Sequence, residues 1–163
     1  MIYSIIFIFS LICANLLVAL IGPWFSIINA FIFIGLDLSL RDKLHENWNN
    51  DKLPLKMGSL IIVSSVISYL LNSATQMIAF ASFVAFALSM VADTLTYHWL
   101  HKKTWFVKSN GSNIAGALVD SFVFPTIAFG GLMIEIVLMQ FLAKVVGGFV
   151  WTILIKRFKN AQS

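Results

Sequence analysis

Six apolar stretches set the pattern of the chain: Ile2–Ile21, Trp24–Leu40, Met57–Leu71, Met77–Tyr97, Asn113–Phe129 and Leu132–Ile155. Most reach the roughly 17–25 residues that a helix needs to cross the hydrocarbon of a bilayer. The third is the shortest and is expected to run on into Asn72–Gln76 or to thin the bilayer locally. Gly22-Pro23 divides the first stretch from the second, with Pro23 suited to a helix start. Gly130-Gly131 divides the last two, and Asn72–Gln76 marks a turn between the third and fourth. The run Met1–Ile21 has no basic leader, is longer than the apolar core of a signal peptide, and is followed by no small-residue cleavage pattern. It reads as a retained helix.

Composition agrees with this pattern. Of 163 residues, 60% are hydrophobic and 11% charged, and the mean hydropathy is +0.91. That leaves too little polar surface for a water-soluble domain, whereas lipid tolerates it. The fold class expected is an all-α membrane protein, a single domain over residues 1–163 built as a bundle of six transmembrane helices. The single cysteine, Cys13, falls inside the first stretch and packs as a small hydrophobe.

The net charge of +4 raises the question of nucleic acid, and its distribution answers it. Arg41, Lys43, Lys52 and Lys56 lie between the second and third stretches. Lys102, Lys103 and Lys108 lie between the fourth and fifth, and Lys156, Arg157 and Lys159 follow the sixth. The turns on the opposite face carry none. By the positive-inside rule, six spans with both termini cytoplasmic follow. The basic residues therefore report topology and contact with anionic headgroups of the cytoplasmic (inner) membrane, and no nucleic-acid partner is expected. The segment Arg41–Lys56 fits either a surface-lying amphipathic stretch or a solvated loop.

Five ionisable groups remain inside the spans: Asp37, Asp93, Asp120, Glu135 and Lys144. Each is costly in oil unless it is paired or faces water. Lys144 and Asp120 lie near the middle of their helices, and opposite charges at one depth predict an ion pair. Asp37 and Arg41 are four residues apart, so Arg41 is placed to neutralise Asp37. Glu135 lies near an outer end. Helical spacing then sorts the polar faces. Ser82, Ser89, Asp93 and Thr96 share one side of the fourth helix, beside a ladder of Ala81, Ala85 and Ser89 that admits a neighbouring backbone. Asn113, Ala117, Asp120 and Phe124 share a face of the fifth, and Gln140, Lys144, Gly147 and Trp151 a face of the sixth. Asn15 is the strongly polar residue of the first. These faces fit convergence on a polar cavity and also fit a dry packing interface.

Catalytic constellations do not emerge. His98 and His101 are three apart, but no carboxylate or cysteine completes a metal set and two lysines flank them. Nucleophile motifs, a phosphate-cradling glycine loop and a helix-borne zinc motif are missing. Neither an enzyme, a metal nor a cofactor is expected.

Several runs resemble a known family. Phe31–Arg41 resembles the second-helix signature of the vitamin-uptake-like transporters, the queuosine precursor transporters. Ala79–Ser89 followed by Asp93 resembles that family's fourth helix. Ser112-Asn113, Asp120–Phe124 and Ile127–Phe129 look like its most distinctive stretch, and Lys144 sits in a matching last helix. The resemblance covers most of Asn15 to Lys159. It implies a helical arrangement similar to the substrate-binding subunits of energy-coupling-factor importers. It also implies import of a 7-deazapurine precursor of queuosine, such as 7-cyano-7-deazaguanine. The outer turns here are shorter than the family's.

The implied ligand suits the polar residues. A deazaguanine edge presents ring N–H and amino donors beside a carbonyl. Asp120 and Asn113 are expected on that edge, with Lys144 and Gln140 facing them, Asn15 nearby and an aromatic such as Phe124, Phe86 or Trp151 stacking on the ring. Asp93, Ser89 and the Asp37–Arg41 pair would shape a gate. Proton coupling through Asp93 or Asp120 and uncoupled diffusion both remain open. Two rival readings stand beside transport by this chain alone: a substrate-binding subunit serving a partner complex, and a structural membrane protein. Against the first, Ala14 and Ala19 are five apart, the wrong spacing for one docking ridge. A homo-oligomer through the glycine pairs 130–131 or 147–148 is left open.

Overall fold

The Gly22-Pro23 pair ends the first apolar run where the pattern predicts. Gly22 adopts φ +104°, a conformation that side chains with a Cβ resist, and its N–H closes the helix on the Val18 carbonyl at 2.9 Å. In the computed structural model, residues 2–37, 40, 44, 48 and 52–160 are described. Helix α1 spans Ile2–Ile21. Helix α2, Phe25–Asn29, passes directly into a π-helical turn, Ala30–Ile34. Helices α3 (Leu53–Leu71), α4 (Gln76–Trp99), α5 (Trp105–Ala128) and α6 (Ile134–Asn160) follow, with a 3₁₀ turn, Ser73–Thr75, between α3 and α4. No strand occurs among the described residues.

Three of these segments, Ile2–Ile21, Ser73–Trp99 and Ile134–Trp151, are long and apolar enough to cross a membrane outright, and Phe25–Asp37 and Leu55–Leu71 are shorter apolar helices. Helix α5 is 24 residues long but carries the polar Asn113 and Asp120. The third apolar stretch lengthens at its start, from Leu53, and does not run on beyond Leu71. Asn72 stops it, its Oδ1 accepting from the Ala74 N–H at 3.0 Å while its carbonyl accepts from the Thr75 hydroxyl.

The bundle buries polar groups among its apolar core and presents a largely apolar surface, unlike a protein in water. Ser10, Asn15, Ser26, Asn29, Gln140 and Lys144 are buried, and Ile5, Phe9, Leu20, Leu70, Leu142 and Phe149 face outward. An outer surface of that kind is stable only against lipid. Inside, α4 and α5 make the most extensive contact. Helix α1 lies against α3, and α6 against both the π turn and α5. The Ala81, Ala85, Ser89 ladder is buried as its spacing predicts, and Gly116 of α5 lies against the Ser89 carbonyl.

An apolar cluster closes one end, where Leu40 and Leu44 pack with Phe7, Leu11, Met57 and Ile61, and Trp48 leans on them. Positions 40, 44 and 48 are helical, four apart, and all turned towards this cluster. Lys56 caps it, its Nζ 5.5 Å from the Trp48 ring.

The tightest helix contact is between the π turn and α6. A Cβ built at Gly147 would overlap the Phe31 carbonyl, and one at Gly35 would come within 2.7 Å of the Gly147 backbone. Gly147 is thus committed to internal packing, not to a dimer seam. We expect Gly147→Val to destabilise the bundle by about 1–3 kcal/mol, as overpacking does. Gly131→Ala, where a Cβ meets nothing within 4 Å, should stay near wild type. Thermal unfolding of the detergent-solubilised variants measures both.

Candidate functional site

The polar faces converge. One internal cavity is lined by α1 (Asn15), α2 and its continuation (Ser26, Asn29, Asp37), α4 (Ser82, Phe86, Ser89), α5 (Gly116, Ala117, Asp120, Phe124) and α6 (Gln140, Lys144). Its volume of about 70 Å³ admits several waters. The π turn contributes Ala30 and Ile34 to the wall between Asn29 and Asp37.

Lys144 is the dominant electrostatic feature. It is 2% exposed and its Nζ lies 2.5 Å from Asp120 Oδ2, the ion pair that their shared depth predicts. The same ammonium donates to Gln140 Oε1 at 3.3 Å. Gln140 in turn donates from Nε2 to Ser26 Oγ at 2.6 Å, and Ser26 donates to the Pro23 carbonyl. A chain of polar contacts therefore runs from α5 through α6 to the start of α2. Asp120, at 21% exposure, is the more open partner, and its carboxylate keeps acceptor capacity beyond the lysine.

A second chain crosses the other wall. Asn15 accepts from the Ser82 hydroxyl at 2.9 Å and donates to Ser68 Oγ at 3.3 Å, tying α1 to α4 and α3. Asn29 Nδ2 reaches the Ala14 carbonyl at 3.5 Å, while its Oδ1 is buried with no hydrogen-bond partner among the described residues. Asp37 accepts from Ser10, and its Oδ2 likewise lacks a partner among them. A helix-borne proline, Pro125, follows Phe124 and removes one backbone hydrogen bond from the turn that carries Asp120.

Of the residues named from sequence, Asn15, Asp37, Ser89, Asp120, Phe124, Gln140 and Lys144 line the cavity. Asn113 and Asp93 do not border it; Asn113 lies one to two turns from Asp120 along α5, and Asp93 lies beside Gly116. Arg41 falls outside the described residues, and the expected Asp37–Arg41 pair with it. Sequence reasoning passed over Ser10, Ser26 and Asn29, whereas Phe86, one of the aromatics considered for stacking, lines the cavity. The signal for Ser26 and Asn29 was weak but present: Ser26, Asn29 and Asp37 are the polar positions of an otherwise apolar run, at steps of three and eight that keep one helical face. No group of three or more metal-ligating side chains assembles among the described residues.

With that geometry in hand, comparison with known proteins is decisive for family. A family profile described as "Putative vitamin uptake transporter" matches residues 1–157. The chain belongs to this vitamin uptake transporter family. A similar curated protein, the "Probable queuosine precursor transporter" of Haemophilus influenzae, is 32% identical over 123 residues, which cover 66% of this chain and 52% of that protein. The chain thus spans about half the length of the curated relative it matches. No solved structure matches.

The buried pair generates a stability test. Asp120→Ala strands the Lys144 ammonium in the interior, which should cost about 3–5 kcal/mol. Adding Lys144→Met should recover most of that loss, because an uncharged chain of similar length fills the space. Unfolding midpoints of the two single variants and the double variant decide it. Additive losses would mean that the two charges do not depend on each other.

Proposed function

We propose that the chain imports a 7-deazapurine precursor of queuosine, such as 7-cyano-7-deazaguanine, through the cavity between its helices. It would do so in the cytoplasmic membrane, with both termini on the cytoplasmic side. The sidedness rests on the basic residues, which alternate between connections as the positive-inside rule requires. The observation that carries the reading is the Lys144–Asp120 pair, held at the wall of a cavity whose other polar groups point inward. A bundle that used charge only to hold its helices together would seal it in dry contacts.

The chemistry fits donor for acceptor. Asp120 accepts from the ring N–H and exocyclic amine of the purine-like edge, a bidentate pairing strengthened by charge. Lys144 and Gln140 supply donors for the adjacent carbonyl, and Phe124 offers a ring face for stacking. Asn29 Oδ1, an acceptor without a protein donor among the described residues, adds a contact for a further N–H. Deazapurines lack the imidazole nitrogen of guanine at the position that carries the substituent. A site rich in acceptors and apolar walls does not need to satisfy that nitrogen.

At about 70 Å³ the cavity is smaller than sites that enclose drug-sized ligands, roughly 300–1,000 Å³. Loading therefore requires side chains to move outward. Phe86 has room to do so, since it lines both this cavity and an open apolar groove with Gly58, Phe83, Met90 and Leu95.

The test is uptake of labelled 7-cyano-7-deazaguanine by cells lacking their own importer, with and without this gene. Expression should confer saturable uptake. Asp120→Asn, which swaps an acceptor for a donor at the substrate edge, should lower it about tenfold or more at equal protein level, as loss of a charge-assisted pairing implies. Uptake unchanged by the substitution would remove Asp120 from the site. No gene-dependent uptake would remove the substrate.

A further inference from the structure

We infer that Asp37 and Ser10 form a proton-binding site at the cavity wall, distinct from the Lys144–Asp120 pair, through which import is coupled to proton entry. The inference rests on the proposed transport function and supplies its energy source. Asp37 is 6% exposed, lines the cavity, and accepts from Ser10 of α1 through Oδ1; Oδ2 has no protein partner among the described residues. An ionised carboxylate so placed must be solvated by cavity water or neutralised.

Ser10 is placed to serve both protonation states. Its Oγ lies 3.0 Å from the Phe7 carbonyl of its own helix as well as against Asp37. A hydroxyl has one hydrogen and two acceptor lone pairs. When Asp37 is ionised, Ser10 donates to it. When Asp37 holds a proton, the carboxyl donates to Ser10 Oγ, and Ser10 turns its own hydrogen to the Phe7 carbonyl. Neither state strands a hydroxyl, so the proton can enter and leave without rearranging the helices.

The surroundings decide which state accompanies substrate. The charged groups that face the cavity from the packed elements are Lys144 on α6 and Asp120 on α5, and each already holds the other. On α1 the neighbours that line the cavity are Phe7, Leu11, Ala14 and Asn15, none titratable, and α4 presents Ser82, Phe86 and Ser89. Asp37 Oδ2 is closed to solvent even in the empty cavity, and a flat uncharged solute filling the cavity displaces the nearby water that would otherwise polarise towards the charge. The loaded state then requires the neutral carboxyl, and solute and proton bind together. The proton arrives from one aqueous side and leaves to the other when the cavity re-wets, so one positive charge crosses with each neutral solute.

Two measurements on the full-length protein test this. Titration calorimetry of 7-cyano-7-deazaguanine binding at pH 7.5, in buffers of low and high ionisation enthalpy, should show wild type taking up about one proton per ligand. Asp37→Asn should bind with no proton uptake. In proteoliposomes, an inward proton gradient should drive wild type to accumulate solute about fivefold or more above equilibrium, consistent with gradient coupling, while Asp37→Asn only equilibrates it. Ser10→Ala, which keeps the carboxyl, should move the pH profile of accumulation and leave binding at acid pH intact. Binding by wild type with no proton uptake would overturn the inference alone, leaving Asp37 a fixed charge, for example a partner of Arg41. Gradient-driven accumulation that survives Asp37→Asn would overturn it too. No binding by wild type at all would refute the substrate assignment, and this inference with it.

Discussion

A lysine that is 2% exposed, in a helix that crosses oil, sets the terms for everything around it. Its charge has no water to turn to, so it must find an anion, acceptor oxygens and a medium more polarisable than hydrocarbon. Asp120 provides the first, Gln140 the second, and the cavity the third. Meeting those needs draws α5 and α6 together, orients Gln140 towards Ser26, and so fixes where α2 begins. The apolar outer surface gives no such instruction, because lipid solvates any outward face about equally well. In this bundle polar contacts and small residues join the apolar cluster in specifying the packing, while the outward-facing apolar residues set depth.

That division explains what the sequence made legible. Charges in oil are expensive and therefore rare, so Asp120 and Lys144 stood out and their common depth was enough to pair them. The Gly22-Pro23 turn and the ladder of Ala81, Ala85 and Ser89 were legible for a similar reason: few residues suit those backbone demands. Ser10, Ser26 and Asn29 were not, since a serine in a helix ordinarily satisfies itself on a carbonyl one turn back, as Ser64 and Ser68 do here. For Ser26 and Asn29 the hint was their shared helical face with Asp37, and Ser10 offered none. The π turn at Ala30–Ile34 also escaped notice, because an extra residue per turn leaves no compositional trace. Asn113 and Asp93 do not border the cavity. They share helical faces with cavity residues, but a face is some 20 Å long and the cavity occupies only part of it.

The glycine contact at Gly147 connects this packing to the site. The Gly147 backbone approaches Phe31 so closely because Gly147 carries no Cβ, and the approach brings the π turn against α6 one turn beyond Lys144. The wall that holds Asn29, Ala30 and Ile34 is thereby referenced to the helix that holds the ammonium. A site built on rigid crossings keeps its donors and acceptors in register, and the parts free to move are side chains with space behind them. Phe86 is such a part, standing between the cavity and an open apolar groove.

The two carboxylates of the cavity differ in the one respect that matters for transport. Asp120 is held by the Lys144 ammonium, a partner fixed beside the cavity. Asp37 has instead the Ser10 hydroxyl, which under the proposed coupling donates to the ionised carboxylate and accepts from the protonated one. A carrier needs both kinds of group. A fixed charge recognises the cargo, and a titrating one makes the loaded and empty states differ by a proton. Were both carboxylates fixed, cavity occupancy would leave the charge of the bundle unchanged and no gradient could act on it. Were both free, the site would lose its anion when a proton bound, and with it the edge that selects a hydrogen-bonding ring.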